Sequence, residues 1–357
     1  MADVNIKMAE MADVKKKLVS IIIPLYNGAK EIPETLHALG KQTYRDLEIF
    51  VVDDGSKDDP GEAVAAVGDP RVAYIRQDNQ GPAAARNNGA GRCHGEYVMF
   101  LDHDDLLVPE AIAEAVHFLE THREFGVAYF DFLYYVNQKP RVYYRHRLAR
   151  DWSGNVLDNL LRYGPMCNPS QAVIRRSAID GLAFESALVG SDDWDYFIQI
   201  AHRGTRFAFI PKVLVYRELS QNSFTGGAAG RVKTKNSSIR LYEKWMKLLP
   251  REKVAALGLY DVLERILLKR IFVMIMDKQC SRREVKEEAR KLLQTAQDSK
   301  LKFQLRCFLA VLSIAPRSLS RWVAAIIDNA RIKHNFVAVS APSLASSPAP
   351  QSPQLPQ

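Results

Sequence analysis

Carboxylates are the residues in this chain whose types and spacing could do chemistry, and they fall into three groups. Asp53-Asp54 follows the apolar run Ile49–Val52, Asp102-His103-Asp104-Asp105 follows Val98–Leu101, and Ser191-Asp192-Asp193-Trp194-Asp195 opens a segment of helical spacing. A pair such as Asp102-x-Asp104 offers hard oxygen ligands to Mg2+ or Mn2+, and such an ion bridges phosphate oxygens and neutralises a leaving diphosphate. Taken alone, the pair is more often a solvated loop or a helix cap. In the third group Ser191 is placed to cap a helix, the acids after it suit the positive end of the macrodipole, and Trp194 can bury to fix it.

The elements around these groups read as a parallel α/β sheet, because strand-length apolar runs alternate with helix-length polar or Ala-rich segments. Strands are expected at Leu18–Pro24, Leu47–Asp53, Val72–Ile75 and Tyr97–Leu101, and a helix over Glu31–Lys41 with Ile32, Leu36 and Leu39 on one face. Pro109 suits the first turn of another helix, in which Ile112, Val116 and Leu119 recur at helical spacing. Residues 126–150 read as further strands. Ser191–His202 reads as a helix with Trp194, Phe197, Ile198 and Ala201 inward, and after a stop at Gly204 come two last strands, Arg206–Ile210 and Val213–Tyr216. Ligands of such sheets bind outside the carboxyl ends of the strands, so Tyr26-Asn27, Asp53-Asp54 and Asp102–Asp105 converge on one crevice.

Two common nucleotide sites are disfavoured there. The turn after the first strand holds only Gly28, the run Gly89-Ala90-Gly91-Arg92-Cys93-His94-Gly95 has the wrong spacing for a dinucleotide fingerprint, and no G-x-x-x-x-G-K-[ST] occurs. NAD does not fit, and a diphosphate bound without glycine wrapping needs a cation instead.

Five segments then become specific together: Leu-Val-Ser-Ile-Ile-Ile-Pro-Leu-Tyr-Asn (18–27), Val-Val-Asp-Asp-Gly-Ser (51–56), Gly-Pro-Ala-Ala-Ala-Arg-Asn-Asn-Gly (81–89), Phe-Leu-Asp-His-Asp-Asp (100–105) and Asp-Asp-Trp-Asp (192–195). In order and spacing they resemble the family 2 glycosyltransferases. The resemblance covers roughly residues 18–225 and implies a GT-A fold, a mainly parallel central sheet flanked by helices. It also implies inverting transfer of a sugar from a nucleotide-diphosphate donor, a UDP-sugar being favoured, to a hydroxyl of a glycan or lipid-linked acceptor. Carried onto this sequence, Pro24, Tyr26 and Asn27 would line the nucleotide, with Tyr26 against the base. Asp53 or Asp54 would accept hydrogen bonds from base or ribose, and Arg86 would meet the base or the diphosphate. Asp104 would hold Mn2+ or Mg2+, with Asp102 nearer the ribose or the second layer around the ion. His103 would face away if the backbone is extended there. Asp193 would be the base that takes the proton of the attacking hydroxyl.

One departure weakens the metal shell: where family members often carry Tyr/Trp-Arg-x-His, this chain has Tyr216-Arg217-Glu218-Leu219, so water or Ser220, Asn222 or Ser223 would substitute. The loop Ser220–Gly230, rich in glycine, is expected to be flexible and able to close over the donor.

The remaining composition bounds the setting. With 357 residues, 47% hydrophobic and 25% charged, the chain suits a globular enzyme core with an appendage. Its four cysteines lack CxxC pairing, which fits a reducing cytosol. The segment 1–17 reads as an extension, since its start is charged and lacks the apolar core of a secretory signal. Net charge is +8, yet residues 231–335 hold 24 Lys and Arg against 10 Asp and Glu. The region 226–335 therefore reads as basic amphipathic helices, suited to an anionic membrane surface, to acceptor binding, to oligomerisation or to packing on the core with solvated basic outer faces. Nucleic acid is not expected, because no binding module accompanies the charge. The tail 336–357, Pro/Ser-rich, cannot bury enough apolar area to order itself. A cytoplasmic enzyme of cell-surface polysaccharide synthesis, peripheral on the inner face of the membrane, is the leading expectation. A sugar nucleotidyltransferase or a catalytically weak nucleotide-sugar-binding protein is the alternative.

Overall fold

The computed structural model describes residues 17–135, 152–218, 228–276 and 281–295, together with 302, 306 and 309. The first half alternates as expected: β1 (Val19–Leu25), α1 (Ile32–Gly40), β2 (Leu47–Asp54), α2 (Gly61–Val67), β3 (Val72–Gln77), α3 (Pro82–Ala90) and β4 (Tyr97–Phe100). There follow β5 (Leu106–Leu107), α4 (Ala111–Thr121), β6 (Phe125–Tyr135), α5 (Leu157–Tyr163), β7 (Ala172–Arg175), α6 (Asp192–His202) and β8 (Arg206–Glu218). The basic region supplies α7 (Ala228–Leu248), α8 (Arg251–Ala256), α9 (Leu259–Met276) and α10 (Arg282–Thr295).

Among the described residues, eight strands join one sheet in the order β3-β2-β1-β4-β7-β6-β8-β5. The first four are mutually parallel, β7 runs antiparallel to β4 and β6, and β8 is parallel to β6. Every residue of β1 is buried, as a central strand covered on both faces requires. Its side chains divide between two apolar clusters. Ile22 lies with Phe100, Leu160, Trp194 and Trp245 on one face, and Ile21 and Ile23 lie with Leu36, Met99, Ile112 and Val116 on the other. Pro24 is tolerated because β4 pairs with β1 only as far as Ile22↔Phe100, while β2 continues to Leu25↔Asp53. The side of the strand on which Pro24 lacks a donor is therefore the side where the sheet has opened. That opening is the crevice.

Two expectations change. The two last strands are one, β8, whose register with β6 slips between Phe130↔Ile210 and Asp131↔Val213, because Pro211 cannot donate to the ladder. The glycine-rich loop ends earlier than expected, since α7 begins at Ala228, and Leu219, Ser220, Asn222 and Ser223 lie outside the described residues. Of the strands expected over 126–150, β6 accounts for the part up to Tyr135. The segment 136–151, residues 1–16, Cys280, Cys307 and the tail also lie outside the described residues.

Candidate active site

The first wall of the crevice is the turn after β1. Asn27 takes a left-handed backbone (φ 53°), which Asn tolerates better than most residues. Its N–H donates to Ser56 Oγ at 2.9 Å and its Oδ1 accepts the Lys57 N–H at 2.8 Å, so the turns after β1 and β2 are laced together. Tyr26, beside it, is 43% exposed and is no core aromatic.

Asp53 and Asp54 are buried against protein donors. Asp53 accepts the Ser56 N–H (2.8 Å), Tyr74 OH (2.6 Å) and Arg76 Nη1 (2.8 Å). Burial pushes its carboxyl up, but these bonds and the Arg76 charge outweigh burial and hold it below the usual range. Asp54 accepts the Gln77 amide (2.8 Å) and the backbone N–H groups of Gln80 (2.9 Å) and Gly81 (2.7 Å). It thereby fixes the approach to α3, where Gly81 (φ 91°) turns the chain and Pro82 opens the helix.

Helix α3 then lies close on β1, for a Cβ at Gly89 would come within 2.4 Å of Ile22 Cγ2. This approach carries Arg86 under the crevice, buried rather than on a helix surface. Its Nη2 donates to Asp102 Oδ1 at 2.8 Å and its Nη1 to Asp192 Oδ2 at 3.1 Å, while Nε, also buried, has no hydrogen-bond partner. One guanidinium thus joins the acids after β4 to the acids that open α6.

After β4 the chain turns at His103-Asp104 instead of staying extended, so the condition for His103 facing away is not met. The His103 ring packs over Gly28, where an added Cβ would meet its Cδ2, and its charge acts on both Asp102 and Asp104. Burial raises Asp102, but Arg86 and Arg217 outweigh it and hold its carboxyl below the usual range. Asp104 is raised, chiefly by burial, with Asp102 adding repulsion. Asp105 is pushed by burial up to about 7 despite Arg217, whose Nε lies 3.2 Å from its Oδ2. With its amide oxygen toward Arg217, Asn168 accepts both terminal nitrogens at 2.5 and 2.6 Å. Ser170 Oγ accepts the Asp102 N–H at 3.0 Å. Arg217, Asp105, Asn168 and Ser170 were given no individual role by motif reasoning, although Asp105 stood in the acid group after β4 and Arg217 closed the last core strand.

Among the described residues no three His, Cys, Asp or Glu side chains gather at metal-binding geometry. Asp102 is engaged by Arg86 and lies 3.9 Å from Arg217, so its charge is already met by protein cations. One carboxylate completed by diphosphate oxygens and water is how Mg2+ is ordinarily held beside a nucleotide, so the donor set fits such an ion.

The fourth wall is α6. Trp194, Phe197, Ile198 and Ala201 face inward as the spacing requires. Ser191 occupies the N-cap position but makes no side-chain cap; its Oγ meets Ser238 Oγ of α7 at 3.0 Å. Asp193 accepts the Trp194 N–H at 2.7 Å. Burial first, and then the Asp192 charge, push its carboxyl up to about 6, against Arg86. Asp102, Asp192, Asp193 and Arg86 thus share one electrostatic site, with a carboxylate poised to bind a proton near neutrality.

Comparison with known proteins follows this geometry. The family described as "Glycosyl transferase family 2" matches residues 20–182. WfaP of Escherichia coli, a UDP-Glc:alpha-D-GlcNAc-diphosphoundecaprenol beta-1,3-glucosyltransferase, is 30% identical over 196 residues, 53% of this chain and 72% of WfaP. An uncharacterized glycosyltransferase of Rickettsia conorii is 34% identical over 153 residues, 43% of this chain and 25% of that protein. The chain belongs to glycosyltransferase family 2. Its matches span only about a quarter to a half of several curated relatives. In structure it resembles S. aureus TarS 1-349 in complex with UDP-GlcNAc, with a TM-score of 0.62 at 17% identity over 88% of this chain and 92% of TarS. It also resembles the mannosyltransferase PcManGT from Pyrobaculum calidifontis, with a TM-score of 0.54 at 19% identity over 92% of each chain. The fold is the GT-A fold that the motifs implied.

Proposed function

We propose that this chain is an inverting glycosyltransferase that moves a sugar from a nucleotide-diphosphate donor, a UDP-sugar first, to a hydroxyl of a glycan or lipid-linked acceptor in cell-surface polysaccharide synthesis. The observation that carries it is Arg86 held between Asp102 on the donor side and Asp192, the neighbour of Asp193, on the acceptor side. Donor and base then stand at the two ends of one guanidinium. In the reaction the acceptor oxygen forms its bond to the anomeric carbon as the bond to the diphosphate oxygen breaks. The hydroxyl proton passes to Asp193, and the nucleoside diphosphate departs from the opposite face. Arg86 would meet the base or the diphosphate, and Tyr26 offers its exposed face to the base. Pro24 and Asn27 shape the turn beneath the nucleotide, while Asp53 and Asp54 hold that turn and the start of α3 in place. Asp104 would hold Mn2+ or Mg2+, which when bound offsets the charge of the leaving diphosphate.

The donor of WfaP, by its name, is UDP-Glc and its acceptor a diphosphoundecaprenol-linked sugar, which favours the same classes here. Donors of this kind are cytoplasmic, and a lipid-linked acceptor would bring the enzyme to the inner membrane face through its basic helices. Among the described residues no helix is long and apolar enough to cross a membrane. The Asp193→Asn variant is expected to bind UDP-sugars nearly as the wild type does, read by thermal shift with Mn2+. It is expected to lose transfer by roughly a hundredfold or more. Equal turnover by that variant would remove Asp193 from the reaction.

A further inference from the structure

Ser191 and Asp195 are the two residues of the acidic helix start that the proposed reaction leaves without a task, and both turn onto α7. Ser238 Oγ donates to the Thr234 carbonyl at 3.0 Å, so in the 3.0 Å pair it is Ser191 that donates to Ser238. Asp195 is fully buried. Its Oδ1 accepts Trp245 Nε1 at 2.7 Å, and its Oδ2 accepts Lys244 Nζ at 2.8 Å and Gln199 Nε2 at 2.7 Å. Further contacts extend the seam along α6. Trp194 meets Tyr242 edge to face at 5.4 Å, and His202 meets Trp245 at 5.2 Å. Helix α7 is anchored in turn, because Tyr242 OH donates to the Leu161 carbonyl of α5 at 2.5 Å.

A buried carboxylate is costly unless its oxygens are paired, and an apolar residue would pack two helices together without it. What paired charge adds is a single register: rotating or sliding α6 against α7 would strand the carboxylate. Successive residues of a helix are about 100° apart, so Asp193 and Asp195, two positions apart, point to nearly opposite sides. The helix is gripped from behind at Asp195, and Asp193 is thereby aimed into the crevice.

We infer that α7 is a brace for the base-bearing helix, with Asp195 as a positioning residue fixed by Trp245 and Lys244. The basic C-terminal region would then enter the reaction through the aim of Asp193. The inference rests on the proposed role of Asp193, but the brace has a readout of its own.

The test uses the full chain carrying Trp245→Phe, Asp195→Asn or Lys244→Met. Trp245→Phe removes the N–H along with part of the buried indole, whereas Asp195→Asn keeps the volume and an acceptor for Trp245 and removes only the charge, which makes it the cleaner of the two. Three quantities are followed: amide hydrogen exchange over residues 192–202, UDP affinity with Mn2+ by calorimetry, and UDP release from UDP-glucose and UDP-GlcNAc. Expected are exchange in α6 faster by about tenfold, UDP affinity within about twofold of wild type, and kcat lower by roughly ten- to a hundredfold at unchanged donor KM. Exchange at the wild-type rate would overturn the brace. Faster exchange with wild-type kcat would overturn the aiming of Asp193, and kcat falling in step with UDP affinity would reduce Asp195 to general stability. Should the wild type release no UDP while α6 exchange responds as expected, the donor assignment fails and the brace stands.

Discussion

At the scale of single residues, the acid that matters most is one whose charge the fold disfavours. Asp193 has an ordinary value near 3.8 and is pushed up to about 6, by burial first and by Asp192 second. A general base must be deprotonated, so kcat/KM is expected to rise with pH through about 6 and then level off. Because Arg86 opposes the shift, Arg86→Met should move that limb to higher pH as well as weaken donor binding. Stability runs the other way. Below about 4 the carboxyl is protonated whether the chain is folded or unfolded, and it contributes nothing. Above about 6 both states carry the charge but only the folded state disfavours it, at a cost of about 3 kcal/mol. Asp193→Asn should therefore melt several degrees higher than wild type at pH 8, the gain fading as pH falls from 6 to 4. A scanning-calorimetry series over that range checks it, and a variant less stable than wild type at pH 8 would contradict the burial of this charge.

Elements decide whether such residues meet, and α3 shows how narrow the tolerance is. Its buried face is Ala83, Ala85, Arg86 and Gly89, small enough to bring the helix backbone against β1. A methyl at Gly89 would meet Ile22 Cγ2 at 2.4 Å, and Ile22 is locked in the fully buried central strand. Gly89→Ala is expected to cost about 1–3 kcal/mol by overpacking and to tilt Arg86, one turn earlier, away from Asp102. Chemical denaturation and UDP titration check the two effects, and adding Ile22→Val should restore part of both. Much of this scale was legible in the sequence. Uninterrupted apolar runs located β1, β2 and β4, and the 3.6-residue period of Ile32, Leu36 and Leu39 located α1. Short elements escaped it: α5 has seven residues and β7 four, too few for a period to declare itself. Of the candidate site residues, Asp102, Asp104, Asp193 and Arg86 lie in motifs that resemble family 2 glycosyltransferases, whereas Asn168 and Ser170 lie in none, because it is the antiparallel return through β7 that brings them beside β4.

On the scale of the whole molecule, the sequence of the C-terminal region allows both a membrane-facing basic surface and packing on the core, and composition alone does not choose between them. An excess of Lys and Arg advertises a basic surface, but Leu241, Tyr242, Trp245, Leu249, Val254, Leu257, Leu259 and Val262 join the same apolar cluster as Phe100, Val127 and Trp194. Only α9 and α10 add a separate cluster, around Leu268, Ile271, Val285 and Leu292. Membrane affinity is therefore better probed by exposed charges than by truncation. Arg283→Glu with Arg290→Glu should reduce sedimentation with phosphatidylglycerol vesicles several-fold at low salt, and unchanged sedimentation would leave these helices a purely structural role. Truncation asks a different question. Burying a large apolar side chain stabilises by about 1.5–3 kcal/mol, so losing eight of them at once exceeds the roughly 5–15 kcal/mol that holds a typical domain together. A chain ending at Gly230 is expected to lose its cooperative melting transition and to bind a hydrophobic dye. A chain ending at Thr295 keeps these eight side chains and should retain a cooperative transition. A sharp transition in the shorter protein would mean that residues 18–225 stand without their helical buttress.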